Sequence, residues 1–284
     1  MNVIGHKWVF IGISATLVIA SAAAIVFFGF KQGIDFVGGT AWQIQFSGEE
    51  VAQDELADFL SAKLGVTGAV VTREAATNSF LIRSQEINEA NHQSYAQQIS
   101  AGLATTTELR FETVGAAVGK EVRSRAITAF VLVLAAISLY IAFAFRKVSR
   151  PVSSWKYGII TLVTLFHDAA IPAGLFAALG YFTGAEVDTN FIVAILAVMG
   201  FSVHDTIVVF DRIRENLRLS GGGKTDFSGL VNSSVNQTMA RSINTSLTIV
   251  LVLLALYFFG APSLRYFVLT IIVGTVVGTY SSIF

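Results

Sequence analysis

Six apolar runs, each long enough to cross a bilayer, confine this chain to a helical bundle in a membrane. A span needs about 20 predominantly apolar residues, and the stretches 8–30, 126–145, 157–179, 187–211, 242–259 and 264–284 supply them. In hydrocarbon every backbone amide must be satisfied within its own segment, so runs of this length read as α-helices. Charged residues make up 13% of the chain, against about 25% in soluble domains. Net charge is zero and no basic block stands out, so nucleic acid is not read as a partner. Without a cysteine, disulfides and thiolate metal sites are excluded. No metal site and no cofactor is read from the remaining residues.

The first run admits a second reading, because Ala20-Ser21-Ala22 resembles a signal-peptide cleavage site. Its apolar character continues through Ile25, Val26, Phe27 and Phe28, longer than a signal core needs, which favours a retained anchor. The sixth run reaches Phe284 with no polar tail, and a natural terminus beyond that residue is an expectation.

Between the first two runs, residues 31–125 read as a water-soluble α+β domain. Residues 40–46 alternate, with Trp42, Ile44 and Phe46 on one face, as a half-buried strand does. A helix is expected over 49–64, with Val51, Leu56, Phe59, Leu60 and Leu64 as its apolar stripe. Strands at 69–73 and 80–83, with Asn78 near their turn, a helix at 88–103 and a strand at 109–114 complete the order βαββαβ. That order is ferredoxin-like, and by itself it carries no function. His6 and His92 are expected to be ordinary surface or interface residues.

Loop charge predicts orientation. Arg146, Lys147, Arg150 and Lys156 lie between spans two and three, and Arg212, Arg214, Arg218, Lys224 and Arg241 in or beside the connection between spans four and five. The loop between spans three and four carries Glu186 and Asp188 instead; Arg265 is a lone exception. The positive-inside rule then places both termini in the cytoplasm and the 31–125 domain outside.

Acids within the apolar runs are the functional candidates, because a carboxylate in hydrocarbon is costly. Asp168 follows His167 in span three and Asp205 follows His204 in span four. At 1.5 Å per residue, Asp168 is about 16 Å in from residue 157 and Asp205 about 10 Å from Arg212, so both fall in the inner half at similar depth. Pro172 removes the hydrogen bond to the Asp168 carbonyl and predicts a kink. Arg212 lies two turns below Asp205 near the same face, while Asp211 is rotated away and reads as a boundary charge. On span five, Thr238, Arg241, Thr245 and Thr248 recur at helical spacing with Asn244 alongside. Either the hydroxyls back-bond and Arg241 snorkels to the interface, or Arg241 pairs with Asp205 around a hydrated cavity; the second is favoured. Gly274 and Gly278 form a GxxxG pattern that Ser281 and Ser282 extend, as close helix packing requires.

Four stretches carry a family resemblance: GIDFVGG at 33–39, FSVHDTIVVFDRIREN at 201–216, RSINTS at 241–246 and GTYSSIF at 278–284. Together they resemble the SecF family, the smaller subunits of the bacterial SecDF protein-export complex, in the resistance–nodulation–division superfamily. The resemblance implies pairing with SecD as pseudo-symmetric halves in the cytoplasmic (inner) membrane. It also implies an ion-driven, non-enzymatic machine that pulls or releases preproteins on the outer side after the SecYEG channel and SecA have moved them, with auxiliary membrane proteins of that channel as further partners. By that resemblance Asp205 and Arg241 are the coupling residues, Asp168 and His204 accompany them, and Gly33, Asp35, Gly38, Gly39, Asp211 and Arg212 are motif residues. The coupling ion, H⁺ or Na⁺, stays open. Two other classes remain: a lipid or small-molecule exporter of the same superfamily, and an intramembrane aspartyl protease using Asp168 and Asp205. Against the protease, Gly200 is followed by Phe-Ser-Val-His before Asp205, not by the Gly-x-Gly-Asp pattern.

Overall fold

The computed structural model describes residues 2–47, 51–74, 78–146, 153–220 and 226–284. Lys147, Arg150 and Lys224 of the basic loops, and Gly48 and Glu49 at the expected helix start, lie outside them. The elements are α1 (Lys7–Phe28), α2 (Ile34–Val37), β1 (Gly39–Phe46), α3 (Gln53–Ala62), β2 (Val70–Glu74), β3 (Ser79–Ser84), α4 (Glu89–Gly102), β4 (Thr106–Val114), α5 (Ala116–Ala144), α6 (Ser154–Thr183), α7 (Thr189–Leu219), α8 (Phe227–Phe259) and α9 (Arg265–Ile283). They form two compact units, Gln32–Ala126 and the remainder.

In the Gln32–Ala126 unit the strands run β2-β3-β1-β4, every neighbour antiparallel, the ferredoxin-like order. Trp42 and Ile44 of β1 point into a core with Leu56 and Leu60 of α3, Ile82 of β3 and Ile99 of α4. Asn88 caps α4 by accepting from the Asn91 amide at 2.8 Å, a favoured N-cap arrangement. The register shifts between Gln43 and Ile44, which face Arg110 and Glu108, so Leu109 is the extra residue of a bulge. Glu108 is thereby turned toward the helices. Its Oε2 accepts from Trp42 Nε1 at 2.8 Å and lies 2.5 Å from His92 Nε2. His92 is buried and stacks on Phe111 with centroids 3.5 Å apart, so it is a core histidine rather than the surface or interface residue expected.

Several limits differ from expectation. The helix expected from 49 begins at Gln53, because Ala52 is still extended. The last strand begins at Thr106, three residues early, paired to Phe46. The glycine-rich stretch at 33–39 contains a one-turn helix, α2, closed by Gly38 at φ 79°. A Cβ on Gly38 would sit 2.6 Å from the Ala116 Cα, and one on Gly39 (φ 119°) 2.6 Å from the Ser84 carbonyl oxygen. Both positions thus demand glycine twice over, by backbone angle and by space.

α1 and α5 to α9 are each long and apolar enough to cross a membrane. α6, α7 and α9 form the buried middle, whereas α1, α5 and α8 turn most of their apolar surface outward. α7 and α8 have 31 and 33 residues, about 46–50 Å at 1.5 Å per residue, and outrun a hydrocarbon core of about 30 Å. Span five, expected from 242, is a helix from Phe227; span four, expected to end at 211, continues to Leu219. The excess lengths pair with each other: Asn216 donates to Ser234 Oγ at 2.8 Å and to Gln237 Oε1 at 3.2 Å. Hydropathy marks where the apolar environment ends, not where the helix does. For the same reason α5 starts ten residues before its apolar run. α6 continues unbroken through Pro172.

The GxxxG pattern joins α9 to α7. A Cβ on Gly274 would strike the Val198 side chain, and one on Gly278 would lie 3.0 Å from the Ser202 Cβ. Gly274→Leu is expected to destabilise the bundle by about 1–3 kcal/mol through overpacking, measured by unfolding in detergent. Gly200→Leu, on the same seam's other helix but with nothing within 4 Å of its Cβ, is the comparison expected to stay near neutral.

Candidate functional site

Among the described residues, the buried acids are Asp168 and Asp205, 0% and 8% exposed. Their surroundings are unlike. Asp168 sits where α6, α7 and α9 meet. His167 Nδ1 lies 2.8 Å from Oδ1, Ser202 Oγ donates to Oδ2, and Ser281 Oγ donates to Oδ2 at 2.9 Å. Polar partners thus meet both carboxyl oxygens, as a buried polar group requires. His167 itself keeps a buried Nε2 with no partner.

Asp205 is held loosely. Its side-chain partner is Ser246 Oγ on α8, donating to Oδ2 at 3.5 Å, the far limit of a hydrogen bond. Ser246 is also engaged with Thr279 Oγ1 and, at 2.9 Å, with the Ser242 carbonyl. Asp205 lines a cavity of about 30 Å³ with Ser202, His204, Ser246, Thr275 and Thr279. Thr275 Oγ1 is buried there without a partner. A water needs about 10–15 Å³ and polar partners, so this space suits about two waters.

The expected Asp205–Arg241 ion pair is not formed. Arg241 is exposed, and no ion pair between these residues occurs. Ser246, not Arg241, faces Asp205, and the two are five residues apart on α8. Five residues turn a helix by about 140° beyond a full revolution, so Arg241 does not share the face of Ser246. The buried polar stripe of α8 is Ser234, Thr238, Ser242 and Ser246, at strict i, i+4 spacing, sharing only Thr238 with the expected one. Asn244, Thr245 and Thr248 are exposed; Thr245 and Thr248 donate to the Arg241 and Asn244 carbonyls at 2.9 and 2.8 Å, the back-bonding alternative. His204 is exposed beside Asp205. Asp211 pairs with Arg214, and Arg212 with Glu215 at 2.6 Å, so neither reaches Asp205. Of the hydroxyls that hold the two acids, Ser202, Ser246 and Ser281, the sequence singles out Ser281 alone, as a small packing residue.

The model of the family described as protein export membrane protein SecD/SecF, C-terminal, matches residues 95–284, and the SecD/SecF GG motif matches residues 23–49. The chain belongs to the SecD/SecF protein-export membrane family. It is similar to the protein translocase subunit SecF of Thermobaculum terrenum, 42% identical over all of this chain and 91% of the relative. The SecF of Anaerolinea thermophila is 37% identical over the same shares. A crystal structure of SecDF, described as a translocon-associated membrane protein from Thermus thermophilus, superposes with a TM-score of 0.84 at 36% identity. All of this chain aligns there, to 37% of that longer one. The SecD/SecF family thus accounts for six membrane helices with a small antiparallel sheet, and the chain is a multi-pass membrane protein. Both the α2 turn with Gly38 and Gly39 and the α7–α9 seam fall within its matched segments.

Proposed function

We propose that this chain is a protein-translocase subunit of the SecF type, which pairs with a SecD partner and uses a proton gradient to promote late stages of preprotein export through the SecYEG channel. The observation that carries the proposal is Asp205: a buried carboxylate with one weak protein partner, beside a water-sized cavity, in a chain whose relatives are named translocase subunits. A carboxyl so placed can gain and lose a proton without dismantling a network. The role is non-enzymatic. A protease would need both aspartates on one water, yet the Asp168 oxygens are occupied by His167, Ser202 and Ser281.

Pairing is supported by the exposed polar face. Arg241, Asn244, Thr245 and Thr248 of α8 and His204 of α7 are uncovered, and polar side chains at membrane depth face protein or water rather than lipid. A second, pseudo-symmetric half would cover them. Loop charge supports an inner-membrane orientation with both termini cytoplasmic and the 31–125 domain outside.

The test is preprotein release from vesicles containing this chain with SecD, under a proton or a sodium gradient imposed separately. Release is expected to rise several-fold, about 1 kcal/mol or more in rate terms, with the proton gradient alone. A response to sodium only would replace the ion, and no response to either would overturn the proposal.

A further inference from the structure

Ser202 touches both carboxylate sites. Its Oγ donates to Asp168 Oδ2, and its side chain lines the cavity that Asp205 borders. We propose that Ser202 is a relay hydroxyl joining Asp205 to Asp168, so that two carboxylates hold the transported proton in turn. This deepens, and rests on, the proton-coupled role of Asp205.

Geometry and valence support the link. Positions 202 and 205 are three apart on α7 and share a face. A serine hydroxyl has one donor hydrogen and two lone pairs; with its hydrogen committed to Asp168, Ser202 offers the lone pairs to a donor in the cavity. About two waters fit there, anchored by Asp205 and by the otherwise unpartnered Thr275 Oγ1. In the step, protonated Asp205 gives its proton to a cavity water. That water passes one of its own protons to Ser202 Oγ while Ser202 releases its hydrogen to Asp168 Oδ2. One O–H bond breaks and one forms at the water and at the serine, and both end neutral. The net change is one proton moved from Asp205 to Asp168. The relay is reset once Asp168 has given up that proton and the Ser202 hydroxyl has rotated back toward it.

The surroundings divide the labour. Asp168 receives its proton in a network from α6, α7 and α9, where His167 and Ser281 fix the carboxyl. Asp205 has freedom to exchange with its cavity. The titratable and charged groups near the pair are His167 on α6, His204 on α7 and Arg241 on α8; α9 contributes only hydroxyls and glycine there.

The experiment uses the intact complex in vesicles and reads two quantities: proton-gradient-driven preprotein release, and the infrared C=O bands of protonated carboxyls. Ser202→Ala keeps the Cβ that meets Gly278 and removes only the hydroxyl. It is expected to lower release about 100-fold, the scale of a lost proton-transfer group, with Asp168→Asn alike and the double variant no worse than either single. On acidification the wild type is expected to show one band lost in Asp205→Asn and another lost in Asp168→Asn. In Ser202→Ala the Asp205 band persists while the Asp168 band fails to appear on the same timescale. Ser282→Ala, which breaks the 3.1 Å contact with Thr206 on the same seam and touches neither acid, is the packing control. Should Asp168→Asn not fold, Ser202→Ala decides the matter through the band it retains. Normal release in Ser202→Ala, or an equal loss in Ser282→Ala, overturns the relay. If Asp205→Asn releases normally, it is the proton-coupled role of Asp205 that fails; if Asp205→Asn is inactive but Ser202→Ala is normal, that role stands and the relay alone falls.

Discussion

Asp205→Asn is expected to reduce gradient-driven preprotein release to background while the protein folds and pairs with its partner. Asparagine has nearly the same shape, and its amide oxygen can still accept from Ser246, whose hydroxyl lies 3.5 Å from Oδ2. It also takes a charge out of a buried site, where an ionised carboxylate is costly to hold. Stability should therefore be equal or slightly higher. What asparagine cannot do is bind and release a proton. The unfolding midpoint and recovery of the two-subunit complex are measured beside release in vesicles. Loss of release with an unchanged midpoint is the expected pair of results. Gradient-driven release at the wild-type rate would remove Asp205 from the coupling step, whatever its burial.

The polarity of the apolar runs was enough to single out Asp168 and Asp205, because a carboxylate among residues such as Phe201, Ile207 and Val208 stands out in any window. Partner choice was a different problem. It depends on helical phase, and Arg241, the most polar residue of α8, is out of phase with the face that packs. The stripe that faces the bundle consists of Ser234, Thr238, Ser242 and Ser246. Serine is small and neutral, so its pattern weighs little beside an arginine, although the exact fourfold spacing was there to be seen. The lengths of α7 and α8 were hidden for a related reason: residues 227–241 contain Asn232, Ser233, Asn236 and Gln237, and lose the apolar signal without losing the helix. In the α+β unit, alternation around Trp42 and Ile44 marks β1, but not the bulge at Leu109. That bulge brings Glu108 beneath Trp42 and turns His92 into a core residue, a long-range consequence that no local window contains.

Trp42→Ala is expected to destabilise the Gln32–Ala126 unit by about 3–5 kcal/mol, the cost of emptying a large aromatic site. Unfolding free energies of domains are about 5–15 kcal/mol in total, so the loss is a large fraction. Trp42 is 1% exposed, sets its ring edge-on to His92 and Phe111 at 5.1 and 6.0 Å, and donates to Glu108 at 2.8 Å. Trp42→Phe keeps much of the volume and loses the N–H, and should cost less, about 1–3 kcal/mol. Hydrogen exchange of the β1 amides in the full chain reads both variants, and equal protection in all three proteins would contradict the packing described. The same variant separates the two ends of the proposed machine. Asp205 and its cavity are built from α7, α8 and α9, with no residue from the destabilised unit. Protonation of Asp205 should therefore persist in Trp42→Ala, read by its infrared band, while preprotein release falls. Loss of both together would instead mean that the bundle depends on the α+β unit for its own folding, and would place the coupling upstream of the helices.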